Sequence, residues 1–263
     1  MDGRTKWKDK PLVKGVKEYE LSHWKHFSDF INKEMLDYTS YVYRGHSCSK
    51  WKLEPSLDRF IKDPESEDRE EHLERFKYET RGRRGSNPPK IENDNDWWAL
   101  GQHHGLYTPL LDWTESPFVA LFFAANNVST ENSEYIAVYA LSQTSIDSKN
   151  ELIKSDPKVK TINKHKPTVK IVRPHSDENN RLVSQRGLFT RGPNNMDIES
   201  WVQEFQTKDS NRFIELMKIL IPRREIDDCL RYLNRMNINH STLFPDLSGA
   251  SYFCNTHLKI NSY

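Results

Sequence analysis

Hydrophobic and polar positions along this chain switch repeatedly between helical and strand periods, and the switching predicts a mixed order of helices and strands. From Leu21 to Leu36, Trp24, Phe27, Phe30, Ile31 and Leu36 recur at helical spacing, with Ser22 as a candidate N-cap. Thr39 to Arg44 is β-branched and aromatic and predicts a short strand stopped by Gly45. Glu67 to Glu79 predicts a charged surface helix, and Asp96 to His104 a second helix ended by Gly105. Ser116 and Pro117 open a helix running to about Asn126 that is apolar on nearly every face, the pattern of a helix buried against a sheet. Glu134 to Leu141 predicts a strand. So do Lys170 to Arg173 and Gly187 to Arg191, which flank a helical Asp177 to Ser184. Arg212 to Ile221 has mixed periodicity and reads as a strand ending at Pro222. Arg224 to Met236 is amphipathic, and Phe244 to Leu258 suggests a final helix.

The segments between these elements read as connections. Residues 1–20 look like a flexible leader, polar and basic over its first 17 positions, and Trp51 to Leu57 like an irregular extended stretch. Two loop insertions are expected, near 81–92 around RGRRGSNPPK and over 143–168, which is polar and rich in Lys and Ser. With no internal repeat and no second hydrophobic centre, residues 21–260 read as one α+β domain.

Charge narrows the function classes. The 39 Lys and Arg balance 38 Asp and Glu, so no net basic excess points to nucleic acid or an anionic membrane surface. Cys48, Cys229 and Cys254 are distant and odd in number, which argues against a disulfide scaffold or a structural zinc site. No signal peptide is visible, and the longest apolar run, Phe118 to Ala125, is far short of a membrane helix. A reducing cytoplasm is the expected compartment, with no membrane partner.

The most informative stretch runs from Gln102 to Pro117. Its histidines, Asp112, Trp113 and two threonines lie among apolar residues, the mixture that lines small-molecule pockets. Three candidate constellations follow. In Tyr43-Arg44-Gly45, the guanidinium at a strand end suits a phosphate or carboxylate, and Gly45 lets a ligand approach the backbone. In the loop from His103 to Thr114, one histidine and the Trp113 ring are candidates for ligand contact. His103 and His104 point in different directions and lack a third ligand, so no metal is expected. In the stretch 181–190, the Gln185 amide suits a ribose hydroxyl. Each has a plain structural alternative: a surface ion pair for Arg44, a turn cap for Asp112, a core position for Trp113, and a backbone-bound amide for Gln185. Gly-rich phosphate loops and a Gly-x-Ser-x-Gly elbow are absent.

Five blocks carry a family resemblance: YRG at 43–45, WKLEPSLDR at 51–59, ALGQHHGLYTPLLDWTESPFVALFFA at 99–124, RLVSQRGLFT at 181–190 and TLFPDLSGA at 242–250. Together they resemble the FRG domain over roughly residues 22–258. Their arrangement is similar to that of ADP-ribosyltransferases of the Arg–Ser–Glu type. The resemblance implies an α+β fold with a small mixed, mainly antiparallel core sheet flanked by helices. It also implies NAD as the substrate, an unidentified protein or nucleic acid as acceptor, and a toxin or defence role. Carried onto this chain, Arg44 grips NAD, Thr108 or Thr114 sits on the second motif, and Gln185 stands where the family places a late Glu. Tyr43, Gly45, His103, His104, Asp112 and Trp113 complete the expected NAD contacts, and Arg44 with Gln185 the catalytic pair. An amide has no charge to stabilise a cationic transition state, so a non-catalytic nucleotide- or protein-binding module is the alternative. A metal-dependent nuclease or hydrolase built on His103, His104 and Asp112 is the third.

Overall fold

A computed structural model describes residues 5–126, 133–174 and 180–263. Its strands are Trp7–Asp9 (β1), Val16–Leu21 (β2), Tyr41–His46 (β3), Leu110–Thr114 (β4), Tyr135–Ser142 (β5), Lys170–Val172 (β6), Gly187–Arg191 (β7) and Leu216–Pro222 (β8). The helices begin with His26–Phe30 (α1), which continues as a π turn over Ile31–Met35, then Ser56–Phe60 (α2), Asp68–Glu79 (α3), Asp94–His103 (α4), Pro117–Asn126 (α5) and Gln143–Ser155 (α6). Asn180–Gln185 (α7), Ile198–Glu204 (α8), Ile226–Arg235 (α9), His240–Leu243 (α10) and Leu247–Lys259 (α11) complete the set.

All eight strands form one sheet in the order β1-β2-β8-β5-β3-β4-β7-β6. Only β2 and β8 pair in parallel. The α+β class and the mainly antiparallel sheet are therefore as expected, although eight strands make it larger than a small core sheet. Strand β5 lies at its centre and is buried on both faces, which explains the unbroken apolar run from Ile136 to Leu141. On one face, Ile136, Val138 and Ala140 pack with Tyr43, Met217 and Ile219 under the apolar helix α5, with α1 and α9 beyond. On the other, Ala137, Tyr139 and Leu141 join Val42, Trp113 and Leu188 beneath α6 and α8. A third cluster, Leu73, Trp98, Leu110 and Phe189, seats α3 and α4 at the far end of the sheet.

Three expectations need correction. Residues 5–20 are no leader, because β1 and β2 extend the sheet and β2 runs beside β8 from Val16↔Leu216 to Glu20↔Leu220. Trp7 and Tyr19 set their rings edge-on to Phe30, while the outer positions stay polar, so the segment looks unstructured in sequence. Ser22 donates from its N–H and Oγ to Lys6 O, extending the β1–β2 ladder, and the helix begins at His26. The span 143–168 is half helix, with Ser142 accepting from Ser145 N as N-cap and Ile146, Lys149 and Ile153 buried. Residues 81–92 contain no helix or strand.

Candidate functional site

The sheet nearly divides between β3 and β4. The two strands share a single register pair, Tyr43↔Thr114, after which β3 continues along β5 and β4 along β7. A cleft of about 300 Å³ opens where they part, and its walls include Arg44, His103, Asp112, Phe123, Gln185 and Phe244. That volume is at the lower end for small-molecule sites. The cleft is open rather than a closed dinucleotide-sized cavity.

Arg44 sits astride the gap. Its Nε donates to His46 Nε2 at 3.0 Å, and its Nη1 donates to Asp112 O at 2.6 Å, with Asp112 Oδ2 at 3.4 Å. Nη2 has no hydrogen-bond partner among the described residues, so one edge of the fork remains for a ligand. Burial pushes the guanidinium pKa down, and Asp112 opposes that shift. His46 is itself buried, and burial followed by the Arg44 charge pushes its pKa down to about 3. A neutral imidazole that accepts at Nε2 carries its proton on Nδ1, so His46 acts as a fixed acceptor that orients the guanidinium.

Gln185 ends α7, and its Nε2 donates to Leu243 O at 3.0 Å on α10. Its Oε1 accepts from no described residue, which leaves an acceptor beside the cleft. Thr114 is buried and ties three elements together: its Oγ1 donates to Gln185 O at 2.6 Å and accepts from Ser116 N at 3.0 Å, at the start of α5. Trp113 borders the cleft but is a core side chain, buried with Nε1 donating to Thr190 Oγ1 at 2.9 Å. Tyr43 likewise lies in the core, its phenol pushed up to about 12 by burial. Neither ring is presented for stacking.

Two expected contacts fall outside the cleft. Thr108 is fully buried, donates to Gln102 Oε1 and receives Leu110 N at 3.3 Å, so it braces the turn before β4. His104 is exposed at the C-terminal end of α4, while His103 lines the cleft. Burial, Arg181 and His104 all push the His103 pKa down, so it is neutral at pH 7. Gly45 borders the cleft, yet ligand approach does not explain it. A Cβ there would lie 2.0 Å from Ala120 O and 2.6 Å from Ala124 N, so the glycine lets α5 rest on β3.

Among the cleft residues that the sequence does not mark as ligand contacts are Arg181, Phe123 and Phe244. Arg181 lines the mouth, donating to Asp246 Oδ2 at 2.9 Å and lying 5.2 Å from the Phe244 ring centroid. Phe123 and Phe244 are the partly exposed aromatic rings of the wall. Nothing in sequence separates them from core phenylalanines. Glu178 and Glu199 are the carboxylates near 185 in sequence that could stand in for a late Glu, and Glu178 lies outside the described residues. Glu199, on α8, is raised by burial and is not among the cleft's lining. Asp112 is the one carboxylate lining the cleft among the described residues. No group of three His, Cys, Asp or Glu side chains among them is arranged to hold a metal ion. No helix among the described residues is long and apolar enough to cross a membrane.

No curated protein and no solved structure matches the chain. A family model does match, over residues 39–133, a span that holds the Tyr-Arg-Gly triplet, the segment 51–59 and the long block at 99–124 but neither 181–190 nor 242–250. The strand that carries Arg44, the strand that carries Asp112 and the helix packed over Gly45 thus all lie within the matched residues, and the model that residues 39–133 match is that of the FRG domain.

Proposed function

We propose that the cleft binds NAD and that the protein transfers ADP-ribose from it to an acceptor, a protein, a nucleic acid or water. The observation that carries this reading is Arg44: a guanidinium held by His46 and Asp112 O with its remaining edge free at the cleft. Such a group is preorganised for a phosphate oxygen, because its fork is already oriented. Arg181 places a second guanidinium at the mouth, paired with Asp246. The Phe123 and Phe244 rings offer an apolar wall for a base or for nicotinamide.

In the reaction, the bond between ribose C1′ and the nicotinamide nitrogen breaks, and its electron pair leaves with nicotinamide, which becomes neutral. The ribose then carries cationic character until an acceptor oxygen or nitrogen bonds to C1′ and loses its proton. Gln185 Oε1 suits a ribose hydroxyl but supplies no charge. The carboxylate that faces the developing cation is then Asp112, whose attraction to it grows in the transition state.

The uncharged amide at 185 favours a second reading, a module that binds a nucleotide without turning it over. Incubation with NAD, followed by chromatography of free nicotinamide and calorimetry of NAD binding, separates the two. The enzyme reading expects release that is lost with binding in Arg44→Ala, and lost with binding retained in Asp112→Asn. Binding without release by the unaltered protein supports the module, and absence of NAD binding ends both.

A further inference from the structure

A second cavity, of about 490 Å³, lies at the opposite end of α4 from His103, between α3, α4 and the β6–β7 edge. Its apolar walls include Leu57, Leu73 and Trp98, and its charges do not balance. Arg69 is neutralised by Asp58 at 2.8 Å, and its Nη2 is spent on Ile61 O and Asn195 Oδ1. Glu74 and Asp94 are both held by Lys77, at 2.7 and 2.8 Å. What remains of the charge is Lys166, Lys170 and Arg191 against the exposed Glu70 and the one negative charge that a single Lys77 leaves over between Glu74 and Asp94. Lys166 is directed to the backbone carbonyls of Asp156 and Val159.

Lys170 and Arg191 are the notable pair. They face each other across β6 and β7 in register, and like charges directly opposite on neighbouring strands repel. Neither has a carboxylate within 4 Å among the described residues, and the one side-chain hydrogen bond of Arg191 runs from Nη1 to Asn95 Oδ1 at 2.8 Å. Burial lowers the pKa of Arg191, the charge of Asp94 opposes that shift, and Arg69 adds to it more weakly. A half-buried guanidinium with unspent donors beside a facing ammonium, in a concave and partly apolar site, is the arrangement a dianionic group resolves.

We propose that this cavity is a second ligand site for a small phosphate-bearing molecule, its phosphate received by Arg191 and Lys170 and its organic part lying against Trp98 and Leu73. The site is independent of the NAD reading. The concave shape and the near-neutral net charge of the chain favour a compact ligand over a nucleic-acid strand.

The test measures thermal unfolding of the whole chain against inorganic phosphate and pyrophosphate at constant ionic strength, with chloride as the control salt. The melting temperature should rise saturably with phosphate, as binding to the folded state requires. Arg191→Gln should weaken the phosphate affinity by on the order of tenfold or more, the scale of a lost charge-assisted hydrogen bond. Lys170→Gln should weaken it less and, without phosphate, melt at or above the unaltered protein because the facing repulsion is gone. Arg44→Ala, which removes whatever the first cleft contributes to phosphate binding, should keep the part of the response that Arg191→Gln removes. The proposal is overturned if phosphate acts no differently from chloride, if both substitutions leave the response intact, or if Arg44→Ala abolishes it. Binding of a short oligonucleotide but not of phosphate or pyrophosphate overturns it too. Should Arg191→Gln fail to fold, Lys170→Gln, at an exposed position, decides alone.

Discussion

Replacing Gly45 by alanine separates two explanations of the Tyr-Arg-Gly triplet. If the glycine exists to let a ligand approach, Gly45→Ala should fold normally and lose affinity. The packing predicts the reverse order of effects. The new Cβ would stand 2.0 Å from Ala120 O, 2.6 Å from Ala124 N and 3.0 Å from Ala120 C, all backbone atoms of α5 that no rotamer change can move. Ordinary contact begins at 3.4 Å, so relief at Ala120 O requires α5 to lift by 3.4 − 2.0 = 1.4 Å. The helix buries Val119, Ala120, Leu121, Phe122 and Ala124, so the movement loosens its whole inner face. Overpacking a core typically costs ~1–3 kcal/mol, and a rigid backbone opponent puts this case at about 3 kcal/mol or above. For a chain of this size that corresponds to a fall of roughly 6–12 °C in melting temperature. Calorimetry and guanidinium unfolding measure it. A melting temperature within about a degree of the unaltered protein, combined with weakened ligand binding, would refute the packing argument.

The remaining predictions concern buried charge. His46 is neutral when folded because its pKa lies near 3, against about 6.5 unfolded. Its share of stability is therefore complete above about pH 6.5 and is lost as the pH falls toward 3, with a slope approaching ~1.4 kcal/mol per pH unit. His46→Gln, which can still accept from Arg44 Nε, should flatten urea-unfolding stability between pH 7 and pH 4, leaving the smaller shares of His103 and His240, whose pKa values are also lowered. Equal slopes in the two proteins would show that His46 is not held neutral. Lys149 is fully buried, 2.7 Å from Glu215, and also donates to Val202 O at 3.0 Å. Lys149→Met strands a buried carboxylate and should lower stability by about 3–5 kcal/mol, read from the denaturant midpoint. Adding Glu215→Leu should restore much of it, and no recovery would mean that packing rather than charge explains the loss.

The same lysine shows where the sequence stops being legible. Helix α5 is legible at Pro117–Asn126 because its N-cap, Ser116, is local and its apolar residues are contiguous. The strands at 135–142 and 187–191 are similarly self-announcing. Helix α6 is not, since its inner face is Ile146, Lys149 and Ile153, and the lysine is buried only because Glu215 waits 66 positions downstream. Strands β1 and β2 fail for a related reason. Strand β1 pairs only with β2, whose other neighbour, β8, lies about 200 residues away, and both strands keep polar outer positions at the sheet edge. Local pattern reveals elements whose buried residues form a contiguous apolar run, wherever their partners lie. It does not reveal elements whose few buried positions are interrupted by polar residues that a remote partner accommodates.

The candidate site extends this argument to single residues. In a strand, neighbouring side chains leave on opposite faces, so a short motif need not describe one place. Tyr43 enters the core under α5, Arg44 departs on the other face and reaches across the gap to Asp112 O, and Gly45 makes room for the α5 backbone. The segment Asp112-Trp113-Thr114 divides in the same way: an exposed carboxylate, a core indole bonded to Thr190, and a hydroxyl that locks α7 and α5 to the end of β4. Only one residue of each triplet offers a charge to a ligand. The others hold that charge in place, because Tyr43 and Thr114 form the single register pair at which the strands diverge. Substitutions at Arg44 and Asp112 should therefore change binding or turnover with little loss of stability. Substitutions at Tyr43, Gly45, Trp113 and Thr114 should lower stability first and disturb the cleft only through it.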